Sequence, residues 1–496
     1  MMAGAPAGSD PEPDSEGPLE PPIAAHQTAR EGPGERSWSD RRHAGRALRE
    51  AAPRRSHGTW SPAPDRVDPV EQLLRTDADR EPDLVPVRVA RMAASPFAYY
   101  RGAADMMTFD LVPTPRSGIS AQLCGDAHCL NFGFYGSPTG LVVFDINDFD
   151  ETALGPWEWD LKRLAVSLVL AGRGNGASDE DSRVAVLAAV RTYRKVAESF
   201  RDTSVLDLWR LAVDDHSPLL HRYGRDDAVF RRGFASARRH DNVAALSKLT
   251  EVVDGQRRFL AKPPLLSGLE PDVRRDVEAG LAAYRRSTLT TTAHRLAGHR
   301  IVDVAQKVVG VGSVGTQDFV VLLARPDGSD PLFLQLKEAV PSDVRLVGDH
   351  PAPAHEGERI VAGQRLMQAV SDPYLGWTTV RGVPFYVRQL KDLKASMPLD
   401  KLSGQTLDDY GSLCAAILSR AHARTCDPAL VAGYCGRGTS LDDSVARFAV
   451  TYADQVEKDH AAVVEAVTSG RLPSDPATAA DADQALLGWP DLTVHD

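Results

Sequence analysis

The stretch from Cys124 to Asp160, CGDAHCLNFGFYGSPTGLVVFDINDFDETALGPWEWD, limits what this chain can become more than any other. It holds Asp126, His128 and Asn131 within one short loop, then Asp145, Asp148 and Asp150 soon after. Carboxylates this close repel unless a cation or a proton lies among them. The apolar run Leu141 to Phe144 reads as a short buried strand, which puts the acids at its C-terminal end, where α/β folds place their chemistry. The stretch therefore predicts a divalent-metal site. Asp and Asn beside aromatics are also ordinary turn formers, because they bond their own backbone. The full set in this order, followed by an amphipathic helix, favours the site.

Asp126, with His two positions on and Asn five positions on, resembles the HGDxHxxN catalytic loop of aminoglycoside-phosphotransferase-like and choline-kinase-like enzymes. Gly125, Asp126, His128 and Asn131 match, while Cys124 stands where that pattern has His. The resemblance implies that Asp126 accepts the proton of an acceptor hydroxyl, that His128 orients the loop, and that Asn131 holds a metal on the phosphates. Aligning GPWEWDL with the tail that follows the metal-binding Asp of such enzymes gives that role to Asp148 and a structural one to Asp160. Asp145 is the competing metal ligand.

At residue 301 the pattern turns to strands. Gly310, Gly312 and Gly315 spell GxGxxG, but TQDFVVLLA follows them, a strand where a dinucleotide fold would have a helix. A Gly-rich hairpin, with Ser313 in it, instead suits the phosphate-covering loop of a protein-kinase-like N-lobe. LFLQLKEA then reads as a strand whose two-residue period sets Phe333, Gln335 and Lys337 on one face. A helix over His355 to Val370 offers Glu358 as the partner of Lys337, with Glu356 the alternative. Acids in a first turn also simply complement the helix dipole. Phe385 to Leu390 is a further strand, after which Gln389 and Leu390 would open a hinge toward adenine.

The order of these parts is informative. No Asn occurs after Asn242, so a catalytic loop cannot follow the Gly-rich hairpin, and only Asp126 to Asn131 can supply it. The expected fold is α+β: a two-lobed, protein-kinase-like architecture, circularly permuted, with extra helices, which chain termini close in space would permit. The expected divisions are a disordered tail over residues 1–40, poor in large apolar side chains, and a helical C-lobe-like part over 41–300. An N-lobe-like sheet over 301–395, helices completing the C-lobe over 396–470 and a tail over 471–496 follow. Lys337 and Asp148 should then face one cleft with tips within about 10 Å.

Composition bounds the partners. At 496 residues, 43% hydrophobic and 25% charged, the chain has material for about three domain-sized units. A net charge of -11 argues against nucleic acid or an anionic membrane. Five cysteines with no CxxC pair, no leader-like N-terminus and no long apolar run make a cytoplasmic protein the expectation. Together SPFAYYRGAA, CGDAHCLNFG, FDINDFDETALGPWEWDLKRLA, KVVGVGSVGT, LFLQLKEA and GQRLMQAVSDPYLGW resemble the bacterial domain-of-unknown-function family numbered 2252, from about Gly45 to the C-terminal helix. That resemblance implies a fold and no particular activity.

The residues themselves point to an ATP- and Mg²⁺- or Mn²⁺-dependent phosphotransferase acting on a small hydroxyl acceptor. An adenylyl transferase or a non-catalytic nucleotide-binding module is the alternative. A binuclear metallohydrolase using Asp126, His128, Asp145 and Asp148 would leave the Gly-rich hairpin unexplained, and it lacks the GNH[DE] and later His motifs.

Overall fold

The structure, a computed structural model, describes residues 36–223, 227–239, 242–263, 266–308, 314–346, 352–390 and 395–480. Within these the fold is mixed α+β. Ser37 caps a helix over Trp38–Ala47 through a reciprocal capping box with Asp40, so helix covers the last three residues of the expected N-terminal tail, whose first 35 residues lie outside the described ones.

Helices make most of the body. Pro96–Gly102 (α1) opens on Ser95, whose hydroxyl accepts from the Ala98 N–H at 3.1 Å, with Pro96 in the first turn. Four short strands follow: Ser120–Leu123 (β1), Phe132–Gly136 (β2), Val142–Ile146 (β3) and Ala153–Pro156 (β4). β1 pairs with β4 and β2 with β3, all antiparallel. The two connecting segments, residues 124–131 and 147–152, therefore run between the same two ribbons, and Asn147 N–H donates to the Asn131 carbonyl at 2.8 Å. Leu141, expected inside the strand, is 55% exposed, and β3 instead extends through Asp145. Glu158–Gly174 (α2) and Asp179–Ser199 (α3) come next. The expected one-sided burial of α2 is exceeded, for every residue from Glu158 to Gly172 is buried.

The second part is a six-stranded antiparallel sheet. Its strands are Leu266–Gly268 (β5), Arg300–Lys307 (β6), Asp318–Ala324 (β7), Leu332–Glu338 (β8), Gly376–Val380 (β9) and Val383–Gln389 (β10), in the order β9-β10-β8-β7-β6-β5. Pro271–Ser287 (α4) lies between β5 and β6 in sequence, and Glu356–Met367 (α5) between β8 and β9. The sheet thus takes its edge strand from upstream of residue 301, and a hairpin of Thr250–Val253 and Gln256–Phe259 stands where helix was expected. Alternation sorts β8 as anticipated. Leu332, Leu334 and Leu336 share a core with Val277, Leu281 and Tyr284 of α4, while Phe333 joins Val320, Leu322 and Leu390 on the other face. Lys337 and Gln335 continue that second face.

Ala395–Ser396 (β11) pairs with β2 and returns the chain to the body. There Gly404–Ala423 (α6) packs on α3, Pro428–Cys435 (α7) on the Trp38–Ala47 helix, and Ser440–Thr468 (α8) on α2 and α3. The body is consequently built from segments on both sides of the sheet. All five cysteines are free, and among the described residues no helix is long and apolar enough to cross a membrane.

Candidate functional site

The loop after β1 turns at Gly125, whose φ of +84° and whose approach to the Glu151 carbonyl leave no room for a side chain; a Cβ would sit 2.2 Å from that oxygen. Asp160, in the first turn of α2 and 1% exposed, accepts from the N–H groups of Cys124 (2.9 Å) and Gly125 (3.1 Å). His422 of α6 stands 3.2 Å from the same carboxylate. This is the framework position expected for Asp160. Asn131 spends its amide N–H on the Asp126 carbonyl at 2.6 Å, which leaves its Oδ1 acceptor for something else.

Asp126 Oδ1 accepts from Arg163 Nε at 2.7 Å, and its Oδ2 lies 3.6 Å from His128 Nε2. The Arg163 guanidinium stacks 3.8 Å over the Tyr100 ring and donates to the Tyr100 carbonyl. Burial raises the Asp126 carboxyl above its ordinary range, and Arg163 opposes only part of that. Burial, then Arg101 and Arg163, push His128 well below its ordinary value, so its ring is neutral. A neutral imidazole beside Asp126 fits an orienting part better than a charged one.

The acids divide. Asp145 is consumed by the framework: its carboxylate pairs with Arg420 of α6, both side chains 2% exposed, and accepts from the N–H groups of Ile146 and Ala369 at 2.9 Å each. Asp148 is open, with its side chain 38% exposed and Oδ2 4.0 Å from Lys337 Nζ. Asp150 pairs directly with Lys337 and accepts from the Tyr386 hydroxyl at 2.8 Å. Burial alone would raise Asp148, but Lys337 and Arg388 outweigh it and hold the carboxyl below its usual range. Burial would likewise discharge Lys337, and Asp148 and Asp150 keep its pKa far above the ordinary value.

Among the described residues no three His, Cys, Asp or Glu side chains are grouped as a ready-made metal site. Mg²⁺ does not need one, since it commonly takes one or two carboxylates and completes its shell with water and phosphate oxygens. Asp148 and the Asn131 Oδ1 are the donors here that remain open to it.

On the sheet, Gly310, Gly312 and Ser313 lie outside the described residues. Gly315 has φ +89°, and its carbonyl accepts from Glu81 N–H at 2.9 Å. Gln306 reaches Glu81 as well, at 2.8 Å, so the hairpin is tied to the body. Glu358 makes no ion pair with Lys337; the partner of that lysine is Asp150, and the neighbouring Glu356 pairs with Arg345 and Arg359. The Gln389 and Leu390 N–H groups, expected to face adenine, donate to Asp372 (2.5 Å) and to the Phe333 carbonyl (2.9 Å). Between β2, the end of α5 and the end of β10 lies a small cleft with polar side chains, lined by Tyr135, Asn147, Gln368, Asp372 and Arg388 among others.

A family profile matches residues 80–466, which spans every side chain of this cleft and more than half of the chain. The chain belongs to the family DUF2252, described as uncharacterized protein conserved in bacteria. No curated protein and no solved structure matches it.

In this DUF2252 chain Asp150 stands in the acidic cluster without an expected role of its own, and none of Arg163, Arg388 and Arg420 is among the expected site residues. Two carried a signal. Arg163 follows Asp160 by three positions on a helix, hence on the same face. Arg388 follows Tyr386 by the two-residue period of a strand, and both point to the face that holds Lys337. Asp150 was visible in the acidic cluster, but nothing local marks it as the lysine's partner, and nothing near Asp145 in sequence announces Arg420.

Proposed function

We propose that this protein binds ATP with Mg²⁺ or Mn²⁺ and transfers a phosphoryl group to a small hydroxyl acceptor, on a permuted, two-lobed, kinase-like arrangement. The observation that carries the reading is the meeting of Lys337 with Asp148 and Asp150, the last 187 positions away in sequence. A buried, charged lysine on a sheet facing an open carboxylate and an asparagine on the body is the combination that phosphates and their cation require.

In this reading Lys337 turns from Asp150 toward phosphate oxygens, while Asp148 and the Asn131 Oδ1 hold the cation. A divalent ion there would neutralise charge on the phosphate oxygens. Asp126 Oδ2 accepts the acceptor's proton, with Oδ1 fixed by Arg163 and the backbone fixed by Asp160. Arg163 occupies Asp126 Oδ1, and adenylyl transfer, or binding alone, is the second reading.

The test is thermal shift with ATP and metal, followed by transfer from ATP labelled at the α- or γ-phosphate into a metabolite pool. Wild type should be stabilised by mass action. Asp148→Asn should weaken metal-dependent nucleotide binding, whereas Asp126→Asn should leave binding near wild type and lower turnover by about 10² or more. No shift at millimolar nucleotide would overturn the reading, and α-label transfer would replace phosphoryl with adenylyl transfer.

A further inference from the structure

Most cations around the cleft are already matched. Arg163 holds Asp126, Lys337 holds Asp150, Arg420 holds Asp145 and Arg359 holds Glu356. Two arginines differ. Arg101, from α1 on the body, has Asp126 and Asp148 as its nearest acidic influences, yet it makes no hydrogen bond or ion pair among the described residues, and its buried Nε has no partner. Arg388, from β10 on the sheet, lies among Asp148, Asp150 and Asp318, but its Nε donates to Gln335 at 2.9 Å and it forms no ion pair with any of the three.

Both side chains are half-buried, and of their donors only the Arg101 Nε is buried without an acceptor, which costs about 1–3 kcal/mol. Acids stand close by, so the absence of pairing is not for want of charge. One side chain comes from a helix of the body and the other from a strand of the sheet, and Asp148 acts electrostatically on both. Each presents a planar fork of donors whose spacing suits the oxygens of a phosphate.

We propose that Arg101 and Arg388 form a two-sided clamp on the anionic oxygens of a polyphosphate chain laid across Asp148 and its cation. The proposal rests on the nucleotide reading above and extends it: recognition lies in the phosphate chain more than in the base, consistent with Gln389 and Leu390 N–H groups that are already engaged. Arg388 also lines the polar cleft, so the clamp leads from that cleft to the Asp126 loop.

The experiment measures affinity of the full chain for Mg²⁺ with inorganic tripolyphosphate, and separately with ATP, by calorimetry and thermal shift. Wild type should bind tripolyphosphate; Arg101→Gln and Arg388→Gln should each weaken it at least tenfold, and Arg183→Gln, at an exposed pair with Glu180, should not change it. If a Gln variant does not fold, the Lys variant, which keeps charge without the fork, should still lose about threefold. Variants as tight as wild type would overturn the clamp. Binding of ATP without tripolyphosphate would overturn the clamp and leave the nucleotide reading standing. Arginine-dependent tripolyphosphate binding without ATP binding would support the clamp and sink the nucleotide reading; binding of neither would sink both.

Discussion

Asp145→Asn separates a framework acid from a metal ligand. Asp145 and Arg420 are each 2% exposed, and Arg420 Nη1 has no partner of its own, so the Asp145 carboxylate is the only counter-charge bonded to that guanidinium among the described residues. Asn keeps the volume, so no cavity forms, but its one acceptor oxygen can serve only one of the Ile146 and Ala369 N–H groups, which use different carboxylate oxygens. What is lost is the charge and one N–H acceptor. Breaking a buried pair from one side costs about 3–5 kcal/mol, because the remaining ion stays buried and unpaired. If the cooperative unit is roughly 150–250 residues, that lowers Tm by about 6–20 °C. Calorimetry on the variant checks this, and adding Arg420→Met should recover much of the loss, since no unpaired charge then stays buried. Metal-dependent ATP stabilisation, measured as a shift relative to each variant's own Tm, should persist. An Asp145→Asn variant that melted with wild type and no longer responded to Mg²⁺ would refute the assignment and make Asp145 the ligand.

Asp160→Ala removes the acceptor of two loop N–H groups at about 1–3 kcal/mol each, so it should lower Tm and abolish any turnover that depends on Asp126; a Tm unchanged from wild type would contradict the framework role. Burial first, then Asp343, raises Glu151 from 4.5 to about 8, so between those values the folded state keeps a proton that the unfolded chain has released. Stability should therefore fall as pH rises through that window, and Glu151→Gln should flatten the fall in Tm; parallel pH profiles for the two proteins would show that Glu151 is not the source.

The parts of the site legible in the sequence are those set by local periodicity. A two-residue alternation along β8 put Lys337 on the correct face, and a helical repeat after Trp159 found α2. Asp160 was readable because its distance from the strand is fixed by a short ribbon. Asp145 and Asp148 could not be told apart in this way, for both follow the same apolar run, and the residue that separates them is Arg420, 275 positions later. Lys337 pairs with Asp150 and not with the expected Glu358 for the same reason: a helix after a lysine strand supplies acids, but whether they reach depends on the angle at which α5 meets the sheet. The hairpin at Thr250–Val253 leaves little signal in the sequence because its exposed strands, with Val252 60% exposed, lack an apolar stripe.

The arrangement of the body on both sides of the sheet has a consequence for how the chain is made. α3 meets its main partner α6, and Asp145 and Asp160 meet Arg420 and His422, only after the sheet has left the ribosome. The sheet and α4, whose contacts are mostly among neighbours in sequence, can close while the first half of the body still waits. During that interval the Asp126 loop has its own strands but none of its distant fixtures. A nascent chain that had emerged from the ribosome only as far as about residue 400 would hold a finished sheet beside an open body, with apolar surface of α2 and α3 exposed to chaperones.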